Sequence, residues 1–287
     1  MDPAAIRRTA IIAMFSDDVL MNRLVLKGGN ALDIVHGLSA RGSLDIDFSI
    51  EGDFDDLEDI KNRIFHALRD RFDSAGLIVF DERFEKKPNV LQEGQDEHWG
   101  GYRVEFKVIA KVAAARLENS LERMQRSALV VGPRQERIFQ IEISKYEFCG
   151  ANKIAADLDA YTIYVYPPQM IAAEKVRAIC QQMPDYPQVR NKRARARDFY
   201  DIHTIVTRAY VDFGSQEFHD LIREVFDAKT VPLPLIGKIQ TTRDFHAVDW
   251  PSVVLSVPAS AGQPQPFDYY FDFVRSQVKK LEPLWEI

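Results

Sequence analysis

The sequence predicts an α/β (α+β) N-terminal domain with a mixed sheet over residues 1–166, followed by a helical C-terminal domain over 167–287. Two observations carry this. Before Pro167-Pro168, apolar residues recur with the two-residue alternation of strands, broken by a few helical runs. From Gln169 onward they recur every three to four residues, as on one face of a helix. A chain of 287 residues has length enough for one large core or two smaller ones.

The elements follow in order. Ile6, Ala10, Met14 and Leu20 predict a helix over residues 3–20. A short apolar strand over 23–27 ends at Gly28-Gly29, and Asn30 is placed to cap a helix over 31–36 that Gly37 terminates. Residues 43–50 alternate as a strand, and 55–72 form a long amphipathic helix carrying Ile60, Ile64, Leu68 and Phe72. Residues 77–81 and 102–110 read as paired strands, with 113–127 either a helix or a charged crossover. Strands over 138–146 and 161–166 close the first half. Helices then centre on Ile171 to Ile179, Phe199 to Val206 and Phe218 to Phe226, residues 229–265 read as irregular, and 267–281 form a final helix.

Composition excludes several classes of function. A formal net charge of -6 argues against general electrostatic binding of nucleic acid, so any RNA contact needs a local basic patch. Two cysteines, Cys149 and Cys180, are too few for a disulfide framework or a zinc site, which fits a reducing cytoplasm. The first residues read as an amphipathic helix rather than a signal peptide, and no run of about 18 apolar residues offers a membrane span. The six histidines lack ligand spacing, and no Ser-His-Asp order stands out.

The chemistry gathers around Asp45 and Asp47. Alternate side chains of a strand share a face, so both carboxylates point one way while Ile46 enters the core. Two carboxylates that close repel each other unless a cation lies between them, and Mg²⁺ takes oxygen ligands. Upstream, Gly28-Gly29 lets backbone approach phosphate oxygens, and the helix start at Asn30 presents N–H groups to an anion. Arg41 and Ser43 stand just before the carboxylates as further donors, although Arg41 reads equally well as an ordinary loop charge. A glycine pair followed by a short helix and an Asp-x-Asp strand is the arrangement by which nucleotidyltransferase-fold enzymes hold a triphosphate over Mg²⁺. Such a site calls for a third carboxylate from a neighbouring strand. Glu142, between Ile141 and Ile143, is preferred, with Glu105 as competitor. Arg193, Arg195 and Arg197 form a basic run opening a helix, ordinarily a solvated face but here a candidate contact for substrate phosphate or RNA.

Together these pieces resemble the AbiEii/AbiGii nucleotidyltransferase toxins of type IV-like toxin–antitoxin systems, which include the MenT toxins. The resemblance spans roughly residues 24–205. Gly28-Gly29-Asn30 with Asp45 and Asp47 is similar to the family's first motif, and Gln140-Ile141-Glu142 to its second, where Lys-x-Asp is usual. Glu174-Lys175 is similar to the third, and Arg197-Asp198-Phe199-Tyr200-Asp201 to the fourth. The resemblance implies that Lys175 holds nucleotide phosphates and that Asp198 is a second functional carboxylate. It also implies an NTP substrate, an RNA acceptor such as a tRNA 3′ end, and a cognate antitoxin as partner. Two other outcomes stay open: transfer to a protein or small-molecule hydroxyl, and a non-catalytic module that keeps only the fold.

Overall fold

Side-chain caps punctuate the first helices. The Asp17 carboxylate accepts from the backbone N–H groups of Val19 and Leu20, so α1 (Pro3–Phe15) stops and α2 (Asp18–Arg23) begins afresh. The single helix expected over residues 3–20 is thus two, because a carboxylate that close competes with helix continuation for those donors. The computed structural model describes residues 3–38, 43–91, 98–131 and 135–285.

Strand β1 (Val25–Lys27) turns at Gly28 into α3 (Gly28–Asn30), which widens into a π-type turn over Ala31–Val35. The helix starts at Gly28, and Asn30 makes no capping bond, which corrects the expectation of a cap there. Gly37, at φ +61°, ends the segment as expected. Then come β2 (Ile46–Ser49) and α4 (Leu57–Ser74), the latter capped by Asp56. β3 (Leu77–Lys87) and β4 (Gly101–Ala110) form the expected pair, and α5 (Lys111–Arg116) with α6 (Leu121–Ser127) fill the crossover. β5 (Phe139–Ser144), β6 (Ile154–Leu158) and β7 (Tyr161–Val165) complete a mixed sheet of order β3-β4-β5-β2-β1-β7-β6. The edge strand β6, largely exposed, carries too little alternation to be read from sequence.

Beyond Pro167 come α7 (Pro168–Cys180), α8 (Ala196–Ala209) and α9 (Gln216–Asp227). The stretch expected to be irregular holds short helices α10 (Leu235–Lys238), α11 (Arg243–Ala247) and α12 (Trp250–Ser256), before α13 (Phe267–Val278). These three helices are too short for a periodic pattern to declare them.

The two sheet faces differ sharply. Leu26, Phe48, Val104, Phe106 and Ile141 are fully buried on one face. Phe15 of α1 meets Phe48 there and Phe72 of α4 meets Phe106, each at 5.8 Å between ring centres in edge contact. The opposite face carries Lys27, Asp47, Glu142 and Arg103, and α7 approaches it through Glu174. One apolar cluster extends from Ile6 to Leu284, so the sheet and the helices beyond Pro167 share a core.

Candidate active site

Strand register builds the site. Lys27 of β1 stands opposite Asp47 of β2, Asp47 beside Glu142 of β5, and Glu142 opposite Arg103 of β4. Paired residues point to the same side, so these four groups form a row across the polar face. Asp45 lies in the bend just before β2 rather than on the strand expected from residue 43, exposed at the mouth of this face and close enough to Glu142 and Asp47 to act on both, with Asp47 half-buried behind it. The register separates Glu142 from Glu105. Glu142 is the direct neighbour of Asp47, whereas Glu105 lies one strand further out and accepts a 3.0 Å bond from Gln140.

Gly28 is demanded twice over. Its φ of +70° favours glycine, and an added Cβ would stand 2.5 Å from Asp47 Oδ2. The turn therefore packs directly against the carboxylate. Asn30 is fully buried and donates from Nδ2 to the Asp45 carbonyl at 2.6 Å, while its Oδ1 has no hydrogen-bond partner among the described residues. Asn30 thus holds the approach to β2 in place. Ser43 Oγ donates to the same carbonyl at 3.4 Å. Arg41 lies outside the described residues.

Positive charge is scarce at this end. Burial and the neighbouring Glu142 push the Asp47 carboxyl up to about 7, with Lys27 opposing and Asp45 adding to the rise. Asp45 is raised as well, by burial and by Glu142, against the pull of Arg103 and Arg197. Glu142 receives two bonds from Arg103, at 2.7 and 3.2 Å. Among the described residues no three acidic, histidine or cysteine side chains form a group that could cage a metal ion. The donor set that fits is a carboxylate pair completed by substrate oxygens, the usual manner of Mg²⁺ with phosphates.

The helical half brings its own groups. Lys175 of α7 is buried, and its ammonium donates to Asp198 at 2.9 Å and to Asp201 at 2.7 Å, both on α8. Burial alone would raise the Asp198 carboxyl, but Lys175 and Arg195 outweigh it and hold it below its ordinary value. Of the three arginines, Arg193 is exposed, Arg195 turns back to within 3.5 Å of Asp198, and Arg197 is exposed and acts on Asp45. The basic run therefore splits: one member reaches the carboxylate site and another serves the helix.

With that geometry in hand the family can be assigned. The family model described as "Nucleotidyl transferase AbiEii toxin, Type IV TA system" matches residues 10–268. The chain belongs to the AbiEii nucleotidyltransferase toxin family. No curated protein matches it by sequence. Among solved structures, JHP933 from Helicobacter pylori is similar with a TM-score of 0.50 at 15% identity, over 98% of this chain and 91% of that one. A putative nucleotidyltransferase from H. pylori is similar with a TM-score of 0.50 at 15% identity, over 99% and 95%. MenT4, a nucleotidyltransferase toxin from Mycobacterium tuberculosis, gives 0.45 at 16%, over 98% and 83%. The two H. pylori structures speak for the fold: a mixed sheet with helices, as expected. Among the described residues no helix is long and apolar enough to cross a membrane.

Sequence reading missed one charged cluster beside this candidate site. Lys27 Nζ donates to Glu174 at 2.6 Å and lies 3.6 Å from Glu147, the residue that anchors Arg177 at 2.8 Å and Lys229 at 3.7 Å. Burial would raise the Glu147 carboxyl, yet Arg177, Lys27 and Lys229 bring it down to about 2. The only signal in the sequence was position: Lys27 directly precedes Gly28, and Glu174 directly precedes Lys175. Nothing local marks Glu147 or Lys229, because their partners lie up to 120 residues away.

Proposed function

We propose that this AbiEii-family chain is an Mg²⁺-dependent nucleotidyltransferase that moves NMP from an NTP to a hydroxyl of RNA, with a tRNA 3′ end as the first acceptor to test. The observation that carries this reading is the row of carboxylates on the polar face: Asp45 and Asp47 both raised, beside Glu142, with too few cations to balance them. A bound divalent cation would supply the missing charge and polarise the triphosphate for attack at its α-phosphorus, with pyrophosphate leaving.

The chain's residues do the rest. Asp45 and Asp47 offer the metal-facing oxygens, the Gly28 backbone lies directly against the Asp47 carboxylate, and the N–H groups of the Gly28-Gly29 turn are the candidates to meet phosphate oxygens. Asn30 and Ser43 fix the strand entrance that presents Asp45. Glu142 is the carboxylate next to Asp47 and the candidate to orient or deprotonate the attacking hydroxyl, with Arg103 setting its position. Lys175 would steady phosphate charge from the helical side, held in place by Asp198 and Asp201. Arg197, exposed near Asp45, suits the acceptor's phosphates, and Arg193 extends the same basic run. In a type IV system a cognate antitoxin would restrain this activity, and the chain would act in the cytoplasm.

The test is direct. Purified protein is incubated with each α-³²P-labelled NTP, Mg²⁺, total tRNA and cell lysate, alongside Asp45→Asn. Label on RNA that falls on the order of a hundredfold in the variant supports the proposal. Label on protein or on a small molecule redirects it to those acceptors. Absence of transfer with every NTP leaves the fold as a binding module.

A further inference from the structure

The polar face of the sheet does not end at the carboxylates. Gly101 pairs with Ser144, and the Lys145 N–H donates to the Gly100 carbonyl at 3.2 Å. Just beyond the ends of those two strands stand Trp99 and Tyr146, past left-handed backbone at Gly100 (φ +101°) and at Tyr146 itself (φ +52°). They line a cavity of about 440 Å³ with Tyr186, which follows α7, and with Glu224, Asp227 and Lys229 of the α9 region. Glu51, two residues past the end of β2, and Glu147, 3.6 Å from the Lys27 that pairs with Asp47, also line it, so the cavity lies on the same side of the molecule as the carboxylate row. The volume falls in the range of small-molecule sites.

The lining selects a guest. Trp99 lies edge-on to Tyr186 at 6.0 Å, and His98 packs on Tyr146 at 4.2 Å, so flat aromatic surface dominates. Three lysines already stand over these rings: Lys145 over Tyr146 at 5.3 Å, Lys192 over Tyr186 at 5.9 Å and Lys229 over Trp99 at 6.0 Å. Of these only Lys229 lines the cavity, against the carboxylates of Glu51, Glu147, Glu224 and Asp227, so the lining favours a guest that donates hydrogen bonds. A phosphate would meet Glu224, Asp227 and Glu51. A flat ring that carries donor groups suits both the aromatic walls and the acidic rim. Glu224 and Asp227, three apart on one exposed side of α9, would accept from its amino groups, with Lys229 at the floor as a donor.

We propose that this cavity is a nucleobase site that stacks a base carrying an exocyclic amino group against Trp99 and Tyr146 and reads that group with Glu224 and Asp227. The base arrives either as a free nucleoside or as a residue of an RNA strand whose end reaches Asp45 and Asp47; only the second source rests on the function proposed above. Stacking on aromatic side chains is how proteins commonly hold single bases.

Binding of adenosine, cytidine, guanosine and uridine, measured by tryptophan fluorescence and calorimetry without Mg²⁺, tests it. Because no transfer is required, failure here and failure of the transfer assay are separate results. Saturable binding is expected for at least one amino-bearing nucleoside, at least tenfold tighter than for uridine. Trp99→Ala should weaken it tenfold or more. Glu224→Gln with Asp227→Asn, exposed substitutions that leave packing alone, should erase the preference over uridine. No saturation with any nucleoside, equal affinity in Trp99→Ala, or displacement by spermidine would overturn the proposal. A short RNA that competes with the nucleoside, and whose labelling falls severalfold in Trp99→Ala at unchanged NTP KM, assigns the base to the acceptor strand. A nucleoside that RNA does not displace assigns the site to a free ligand.

Discussion

Two acidic groupings occupy the same polar face of the sheet, and they differ in their supply of positive charge. Glu147 is met by Arg177, Lys27 and Lys229, and is held at about 2 despite full burial. Asp47, paired with Lys27 across β1 and β2, is raised to about 7, first by burial and then by Glu142, Asp45 and Glu174 against Lys27 alone. A balanced buried cluster ties the sheet to α7 and the segment after α9. An unbalanced one near the surface is a place for a cation to enter, and strongly shifted groups gather at functional sites for this reason. The contrast separates a structural cluster from the one proposed to react.

The largest test of the contrast is Glu147→Ala, which strands Arg177 and Lys229 in the core. It should cost about 3–5 kcal/mol in urea unfolding; a loss below about 1 kcal/mol would mean that the cluster holds nothing together. Asp47→Asn should behave oppositely. Transfer should fall on the order of a hundredfold, while stability in metal-free buffer stays level or increases, because a repelled carboxylate is removed. A destabilised Asp47→Asn would remove the distinction between the two groupings.

Gly28→Ala probes the close approach of turn to carboxylate. A methyl group 2.5 Å from Asp47 Oδ2, on a backbone with φ +70°, should cost about 1–2 kcal/mol and raise the NTP KM. Unchanged KM would detach the glycine turn from the triphosphate. The gentlest test is pH in the presence of chelator. The Asp47 carboxyl is raised in the folded state from 3.8 to about 7, so its ionisation works against the fold and is fully felt above about 7. The wild type should therefore lose ground to Asp47→Asn between about pH 4 and 7. Glu147 is lowered from 4.5 to about 2, so its contribution is complete above 4.5 and lost as pH falls toward 2. Stability curves for wild type and Asp47→Asn that run parallel from pH 4 to 7 would contradict the first half.

Local pattern made much of the site legible. Asp47 and Glu142 lie on strands whose alternation is plain, Asp45 directly precedes the first of them, and Gly28 marks a turn by its residue type alone. The third-carboxylate choice between Glu142 and Glu105 was only weakly constrained by alternation, which both satisfy; the parallel pairing of β2 with β5 places Glu142 next to Asp47. Asn30 looked like a helix cap because Asn commonly is one, yet its amide is claimed by the Asp45 carbonyl fifteen residues on. Lys175 was expected at phosphate, and its bonds to Asp198 and Asp201 emerge only when α7 packs on α8.

The chain by itself determined most of the longer strands and helices, which of their faces are apolar, and that two carboxylates stand at the start of β2. These follow from periods of 2 and 3.6 residues and from the backbone preferences of glycine. Tertiary structure decided which charges are neutralised: Lys27 serving Glu147 and Glu174, Arg103 serving Glu142, and Asp47 left short. A charge's state depends on burial and on partners a few ångströms away, and chain order carries no record of that distance until strands pair and helices dock.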